Sequence, residues 1–471
     1  MPRSLVSALL IGMLVLSVTT FNCSCSHRGS AVEGPVAEAW VARFKSPGAC
    51  DAIGQAIALD SLGNICVAGT TGACKDNAHD NILTVKYDGT GKRLWLATYD
   101  GPVGGPDRAA GISVDAEGNI YVVGSTTIEK GYSQEPGKAA VVIMKYDGSG
   151  NQLWVATHEG TVGGGWGKGA MTMDDAGNVY LTGGTKGTEG YDVFFTVKYD
   201  TDGHHLWDSS FSWSEPGDAV GVAIALDKQG NVYATGSTSN TSTAQPEEFK
   251  SAIITIKYSS SGEELWTAEY DSGVLGFHGV SGIAIDSLGD VCVTGDTGRT
   301  AEDYVTIKYD SDGKQLWAAQ YNGPDDNRDE TNAICLDSLD NVYITGSGTS
   351  ENSDDYATVK YDKDGNEVWV ARYDGPGHGS DIPYAIAVDS SGNSYITGQS
   401  YYAGPEDFDC CTIKYDAGGH QVWVARYNGP ASYNDYAEAI VVDNSGNVYV
   451  TGQSKNTDDD CCCLIAKYVP V

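Results

Sequence analysis

A chain of 471 residues with 41% hydrophobic content can bury a large core, yet 63 Asp and Glu against 29 Lys and Arg leave a formal charge of −34. That balance argues against nucleic acid and anionic lipid as partners, because phosphate-dominated binding needs clustered Lys and Arg. The length alone would suggest two or three domains, an expectation that internal repeats replace with a single domain.

The first predicted element is an export signal. "MPRSLVSALLIGMLVLSVTTFNCSCS" sets Arg3 before an apolar run from Leu5 to Val18, too short for a bilayer span and placed where a signal peptide lies. Residues 1–22 are therefore read as the signal and 23–36 as a linker. The expected setting is periplasmic, cell-surface or secreted. Cys23 and Cys25 are candidates for lipid attachment, although Thr20, Phe21 and Asn22 depart from the small residues that precede a lipoprotein cysteine.

From residue 37 onward one unit repeats. Trp40, Trp95, Trp154, Trp207, Trp266, Trp317, Trp369 and Trp423 recur at intervals of 51 to 59 residues. Lys86, Lys145, Lys198, Lys257, Lys308, Lys360, Lys414 and Lys467 keep the same rhythm, each followed by Tyr. Asp60, Asp115, Asp174, Asp227, Asp286, Asp337, Asp389 and Asp443 form a third series, mostly opening "D-x-x-G-N". Each unit reads as four short strands, for example Tyr384–Asp389, Asn393–Ser400, Cys410–Asp416 and Gln421–Tyr427. β-Branched and aromatic residues fill these runs, and Gly, Asn and Asp separate them. Apolar residues on both faces of each strand require sheets covered on both sides, which small sheets stacked around a ring provide.

The two ends of the chain complete one another. "AWVARF" at Ala39–Phe44 is a Trp strand with no unit before it, and the last unit stops at "AKYVPV" without its Trp strand. The expectation is an all-β, eight-bladed propeller over 37–471, closed by the N-terminal strand so that no blade keeps an open edge. "AIAVDSSGNSYITG" at Ala385–Gly398 and "ATVKYDKDGNEVWVARYDGP" at Ala357–Pro376 resemble the SBBP β-propeller repeat of exported bacterial proteins. That resemblance implies the fold and an extracytoplasmic setting, and it carries no catalytic residues to transfer. Ser259, Asp340 and the stretch "FSWSE" depart from the repeat.

Connectivity divides the ring into two faces. The first-to-second and third-to-fourth turns are short and uniform, whereas the second-to-third and blade-to-blade loops differ in every unit. Binding residues favour variable loops on a rigid scaffold. Trp166, Trp213, Phe277, Tyr401, Tyr402 and Tyr433, with Asp325 and Asp326, are the candidate recognition residues of the variable face. Shielding of the blade tops is their alternative role. Cys50, in the loop entering the first blade, and Cys74, in its second-to-third loop, are a candidate disulfide of an exported chain.

The other signals have structural readings. The repeated Trp are expected to pack between blades, and each repeated Lys to pair with the Asp that closes a first strand, since a buried ammonium needs a partner. "DTDGH", "DSDGK" and "DKDGN" look like the start of a Ca²⁺ loop but lack the further acidic ligand and the helix, so Asp and Gly in tight turns explain them. His79, His158, His278 and His378 map to variable-face loops and are expected to be exposed there. Cys66, Cys292, Cys335, Cys410 and Cys463 read as core. The expected function is recognition of a protein or carbohydrate by a monomeric exported scaffold, with no cofactor, no metal and no catalytic residues. The alternative is an enzyme with a site at the channel mouth, quinoprotein-dehydrogenase-like or lyase-like; a cluster of carboxylates with Arg or His there would favour it.

Overall fold

The computed structural model describes residues 31–45, 49–73, 80–129, 138–162, 170–188, 190–214, 216–240, 250–273, 277–298, 302–350, 353–402, 407–431, 433–457 and 460–471. Eight antiparallel sheets follow one another in chain order, and within each the strands pair first to second to third to fourth. The fourth blade is representative: Gly217–Leu226, Val232–Asn240, Ser251–Tyr258 and Glu264–Tyr270. Its third strand, SAIITIKY, is buried at every position, while the outer ELWTAEY alternates between exposed and half-buried. Middle strands are covered by neighbouring blades on both faces, so they read as continuous apolar runs rather than alternating ones. The core is accordingly a series of layers between blades. In one, Tyr233 and Ile253 of the fourth blade meet Val291, Val293, Val305 and Ile307 of the fifth.

The three marker series are physically one device. In the fourth blade Tyr233 pairs Lys257, which pairs Trp266, so Tyr, Lys and Trp form a row across the sheet. The first-strand Asp stands at the end of that row. Asp227 Oδ1 accepts the N–H groups of Gln229 and Asn231, and its Oδ2 accepts the Asn231 amide at 2.7 Å. Each Trp then reaches the next blade. Trp207 Nε1 and Lys198 Nζ, both of the third blade, donate to the same Ser260 carbonyl at 3.2 and 3.5 Å. The Trp207 ring lies on Gly262, which has φ +86° and where a Cβ would stand 2.6 Å from the ring. Glycine is needed there twice over, for the left-handed backbone and for the close approach.

The ring closes as the termini suggested. Val36–Phe44 pairs antiparallel with Asp460–Pro470, setting Trp40 opposite Lys467, and Trp40 Nε1 donates across to Gly89 of the first blade at 3.2 Å. One stretch departs from expectation. Within the segment read as a linker, Ala31–Glu33 forms a fifth strand on the seventh blade, paired with Val424–Arg426. The reason is local: the eighth blade is made from the two chain ends, so it has no third-to-fourth hairpin to cover Trp423. Val32 and Val36 cover it instead, leaving Trp423 4% exposed.

The lysine expectation holds in part. Lys86–Asp60 and Lys308–Asp286 approach to 2.9 and 2.7 Å, and Lys145, Lys198 and Lys360 lie 3.9, 4.0 and 3.7 Å from Asp115, Asp174 and Asp337. The described contacts of Lys257, Lys414 and Lys467 include the faces of Tyr233, Tyr395 and Tyr449, 4.9 to 5.0 Å away, and no carboxylate. Tyrosine separates the two short pairs from the other six lysines. Where the second strand carries Tyr, its hydroxyl donates to the Asp, as Tyr395 does to Asp389 at 2.9 Å, and the ammonium rests over the ring. Where Cys66 or Cys292 replaces Tyr, no ring intervenes and the ion pair is direct.

Candidate functional site

The uniform face is occupied by its own structure. Its turn carboxylates accept backbone N–H groups, including Asp310 from Asp312 and Lys314 and Asp362 from Asp364 and Asn366. Hydrogen bonds from Asn366 hold Asp362 below the usual carboxylate range. This is the tight-turn reading of those Asp-Gly segments. The turn carbonyls, meanwhile, receive the Trp and Lys donors of the preceding blade.

The channel wall mixes apolar and polar groups. A cavity of about 320 Å³ is lined by Ala-Ile or Gly-Ile pairs of the first strands, such as Ala56-Ile57, Gly282-Ile283 and Ala439-Ile440. In seven blades a β-bulge precedes this pair, and in six of them the bulged residue lines the cavity: Gln55, Ala110, Ser281, Asn332, Tyr384 and Glu438. Among the described lining residues Glu438 is the only carboxylate, and there is no Arg or His.

On the variable face the candidate residues occupy separate blades. Trp213 is half-buried beside a cleft of about 380 Å³ with Tyr191, Asp192 and Pro216, between the third and fourth blades. Phe277 opens the first strand of the fifth blade, opposite Gly298. Asp325 and Asp326 are exposed in the next interblade loop, where Asp326 accepts from the Asn322 amide at 2.6 Å. Tyr401 packs edge-on against Phe408 at 5.6 Å and under the loop at Gly377 and Gly379, a shielding role, while Tyr402 beside it is 49% exposed. Tyr433 lies under the Lys455 ammonium at 5.6 Å. Trp166, Cys74 and the side chain of Cys50 lie outside the described residues, as do His79 and the Phe277 side chain.

Two histidines differ from expectation. His278 is buried within the strand Phe277–Ile285, and its Nε2 accepts the Ser272 N–H at 3.2 Å. His158 sits in the outer strand of the second blade, 4.8 Å from the Phe195 ring, and burial lowers its pKa. Both are packing residues: the first strand of the fifth blade begins earlier, and the outer strand of the second blade ends later, than the sequence suggested. His378 is exposed, with Nδ1 2.7 Å from Asp374 Oδ2.

Sequence reasoning missed a set of buried carboxylates. Asp107, just before the strand Arg108–Val114, and Asp329, Asp381 and Asp435, which open their first strands, are fully buried and accept the N–H of Gly101, Gly323, Gly375 and Gly429. Burial pushes Asp381 and Asp435 up to about 6 despite these donors. Two strands on, Asp409 is raised to about 7 by burial and by Asp407. The available signal was the spacing G-P-x-x-x-x-D, present in these four units alone. The guanidinium of Arg372 donates to the Tyr321 hydroxyl and the Gly348 carbonyl, and that of Arg426 to Ser400 Oγ and the Tyr373 hydroxyl. Both arginines stand on outer strands, away from the channel.

Comparisons with known proteins follow this architecture. A viral protein of Acanthamoeba polyphaga mimivirus, described as an uncharacterized WD repeat-containing protein, is 25% identical over 455 residues, covering 79% of this chain and 31% of its own length. The chain thus spans about a third of that relative. Among solved structures, a protein of unknown function from Dyadobacter fermentans covers 93% of this chain and 100% of its own at 9% identity and a TM-score of 0.45. An exotype rhamnogalacturonan lyase covers 91% of this chain and 74% of its own at 14% identity and a TM-score of 0.45. A polysaccharide lyase of the ulvan lyase type covers 83% and 96% at 11% identity and a TM-score of 0.44. Residues 103–129, 369–401 and 422–458 match the family model described as a beta-propeller repeat, SBBP. The chain is an eight-bladed β-propeller that carries SBBP beta-propeller repeats.

Proposed function

We propose that this propeller is a non-catalytic recognition scaffold, which binds a protein or a carbohydrate through its variable loops after export directed by residues 1–22. The observation that carries this reading is the unequal use of the two faces. The uniform face spends its turn carboxylates on the N–H groups of its own turns and its turn carbonyls on donors of the preceding blade, whereas the other face presents loops of different length and chemistry in every blade. Trp213 with its cleft and the exposed Tyr402 offer aromatic area there, and Asp325 and Asp326 offer charge. The described channel wall, with one carboxylate, supports recognition over acid–base chemistry at its mouth.

The test is a binding screen of chain 23–471 against a glycan array and against surface proteins, with Trp213→Ala, Tyr402→Ala and Leu62→Ala alongside. Leu62 is an exposed turn residue of the uniform face. Loss of at least about tenfold in affinity in the two aromatic variants, with Leu62→Ala unchanged, is expected. Binding unaffected by both, or unsaturated product formed from a polysaccharide panel, would overturn the reading.

A further inference from the structure

Three carboxylates of the variable face meet where the sixth and seventh blades adjoin. Asp355 lies in the third strand of the sixth blade, Ser353–Tyr361; Asp374 follows its fourth strand, Glu367–Tyr373; Asp381 opens the seventh blade. One oxygen from each lies within 4.8 Å of the other two. Asp355 is 4% exposed. Its Oδ2 is held by the Ser350 hydroxyl and lies 3.4 Å from Arg372, but its buried Oδ1 has no hydrogen-bond partner. A buried carboxylate oxygen without a donor is costly, and a cation supplies what the protein does not.

The same columns recur at neighbouring junctions. Asp409, Asn428 and Asp435 stand between the seventh and eighth blades where Asp355, Asp374 and Asp381 stand between the sixth and seventh. Asp409, 3% exposed, again has an Oδ1 without a partner, and so has Asn428. Between the fifth and sixth blades Asp303, Asn322 and Asp329 fill the columns, and Asp303 Oδ1 is likewise unpartnered. One column of the repeat thus leaves an orphaned oxygen at three successive junctions. Packing accidents do not repeat with the period of the chain.

We propose that the junction of the sixth and seventh blades binds a divalent cation of the Ca²⁺ class through Asp355, Asp374 and Asp381. The Asn-containing junctions are weaker counterparts. Carboxylate-only ligation selects a hard cation, and Ca²⁺ accepts the irregular geometry that loops from two blades supply. The ion ties the outer half of one blade to the inner strand of the next and fixes the loop over Tyr401. Arg372 already pairs with Asp355 through Oδ2 at 3.4 Å, which leaves Oδ1 for the ion; its remaining donors and those of Arg426 go to Tyr321, Gly348, Ser400 and Tyr373. The inference does not rest on the recognition reading.

Calorimetric titration of Ca²⁺ into chelator-treated chain 23–471 tests it. Saturable binding is expected at or below the millimolar range typical of extracellular modules. Asp374 is exposed, so Asp374→Asn keeps the fold, which the far-ultraviolet dichroism verifies; it should weaken the tightest site at least about tenfold, as should Asp355→Asn. Asp310→Asn, in a turn of the other face, should titrate like the parent. No saturable binding below about 10 mM, or affinities unchanged in both Asp374→Asn and Asp355→Asn, would overturn the proposal.

Discussion

At the scale of the residue, one substitution in the repeat rearranges its neighbours in a readable way. Tyr in the second strand takes the Asp oxygen and offers its ring to Lys; Cys at the same position leaves Lys and Asp to meet directly. Lys308 and Asp286 are both almost wholly buried at 2.7 Å, so Lys308→Met should strand a carboxylate and cost about 3 kcal/mol. Lys257 rests on Tyr233 and donates to Ser311, so Lys257→Met should cost about 1 kcal/mol. Urea titration of the two variants compares them, and equal losses would refute the division. Gly262→Ala meets both a positive φ and the Trp207 ring; it should destabilise by about 2 kcal/mol or more, whereas Gly63→Ala, with nothing within 4 Å, should show only the backbone strain of about 1 kcal/mol.

The element that decides the integrity of the ring is the strand Val36–Phe44. Without it the third strand of the eighth blade, Asp460–Pro470, becomes an open edge, and Trp40 no longer binds the first blade. Deletion through Phe44 should lower the melting temperature by roughly 5 °C or more, given a loss of several kcal/mol in a chain of this size, and promote aggregation. Deletion through Glu33 removes only the added strand Ala31–Glu33. That shorter truncation should leave the ring closed but expose Trp423, and a red shift of tryptophan emission without a comparable fall in melting temperature is the expected result. A melting temperature indifferent to both truncations would contradict the closure.

At the scale of the whole molecule, the two faces titrate in opposite senses, except that burial and the neighbouring Asp286 raise Asp290 on the uniform face. On the uniform face Asp174, Asp337, Asp389 and Asp443 are held below the usual range: burial works to raise them, and hydrogen bonds from Asn side chains and turn N–H groups outweigh it. Their contribution is present above the unfolded pKa of about 4 and is lost as pH falls through the lower folded values. On the variable face burial raises Asp381 and Asp435 to about 6 and Asp296 and Asp409 to about 7. There the folded state binds more protons than the unfolded one, so stability declines as pH rises from about 4 toward 7. Melting measured across pH without added metal should therefore peak at about pH 4 and fall toward 7. Asp409→Asn should flatten the alkaline side. A melting temperature that climbs steadily to pH 8 would contradict these assignments.

Eight units, four strands in each and closure through the N-terminal Trp strand were legible in the sequence, because a solenoid or ring repeats one packing problem and so repeats the residues that solve it. The Trp, Lys and Asp columns recur in every blade and could be read from the period alone, although the pairing of Lys with Asp expected in all eight is described in five. The position of Tyr between Lys and Asp was not legible, since it depends on which strands lie side by side and on where a ring fits. Nor was the strand Ala31–Glu33, which forms only because the eighth blade, assembled from two chain ends, lacks the hairpin that covers Trp elsewhere. The carboxylates of the variable face were hidden for a related reason. Asp355 and Asp381 lie in different repeats, their columns are acidic in only some units, and it is the adjacency of blades, a property of the closed ring, that sets their oxygens against one another. A periodic sequence determines what every blade shares; tertiary structure decides what happens where two different blades touch.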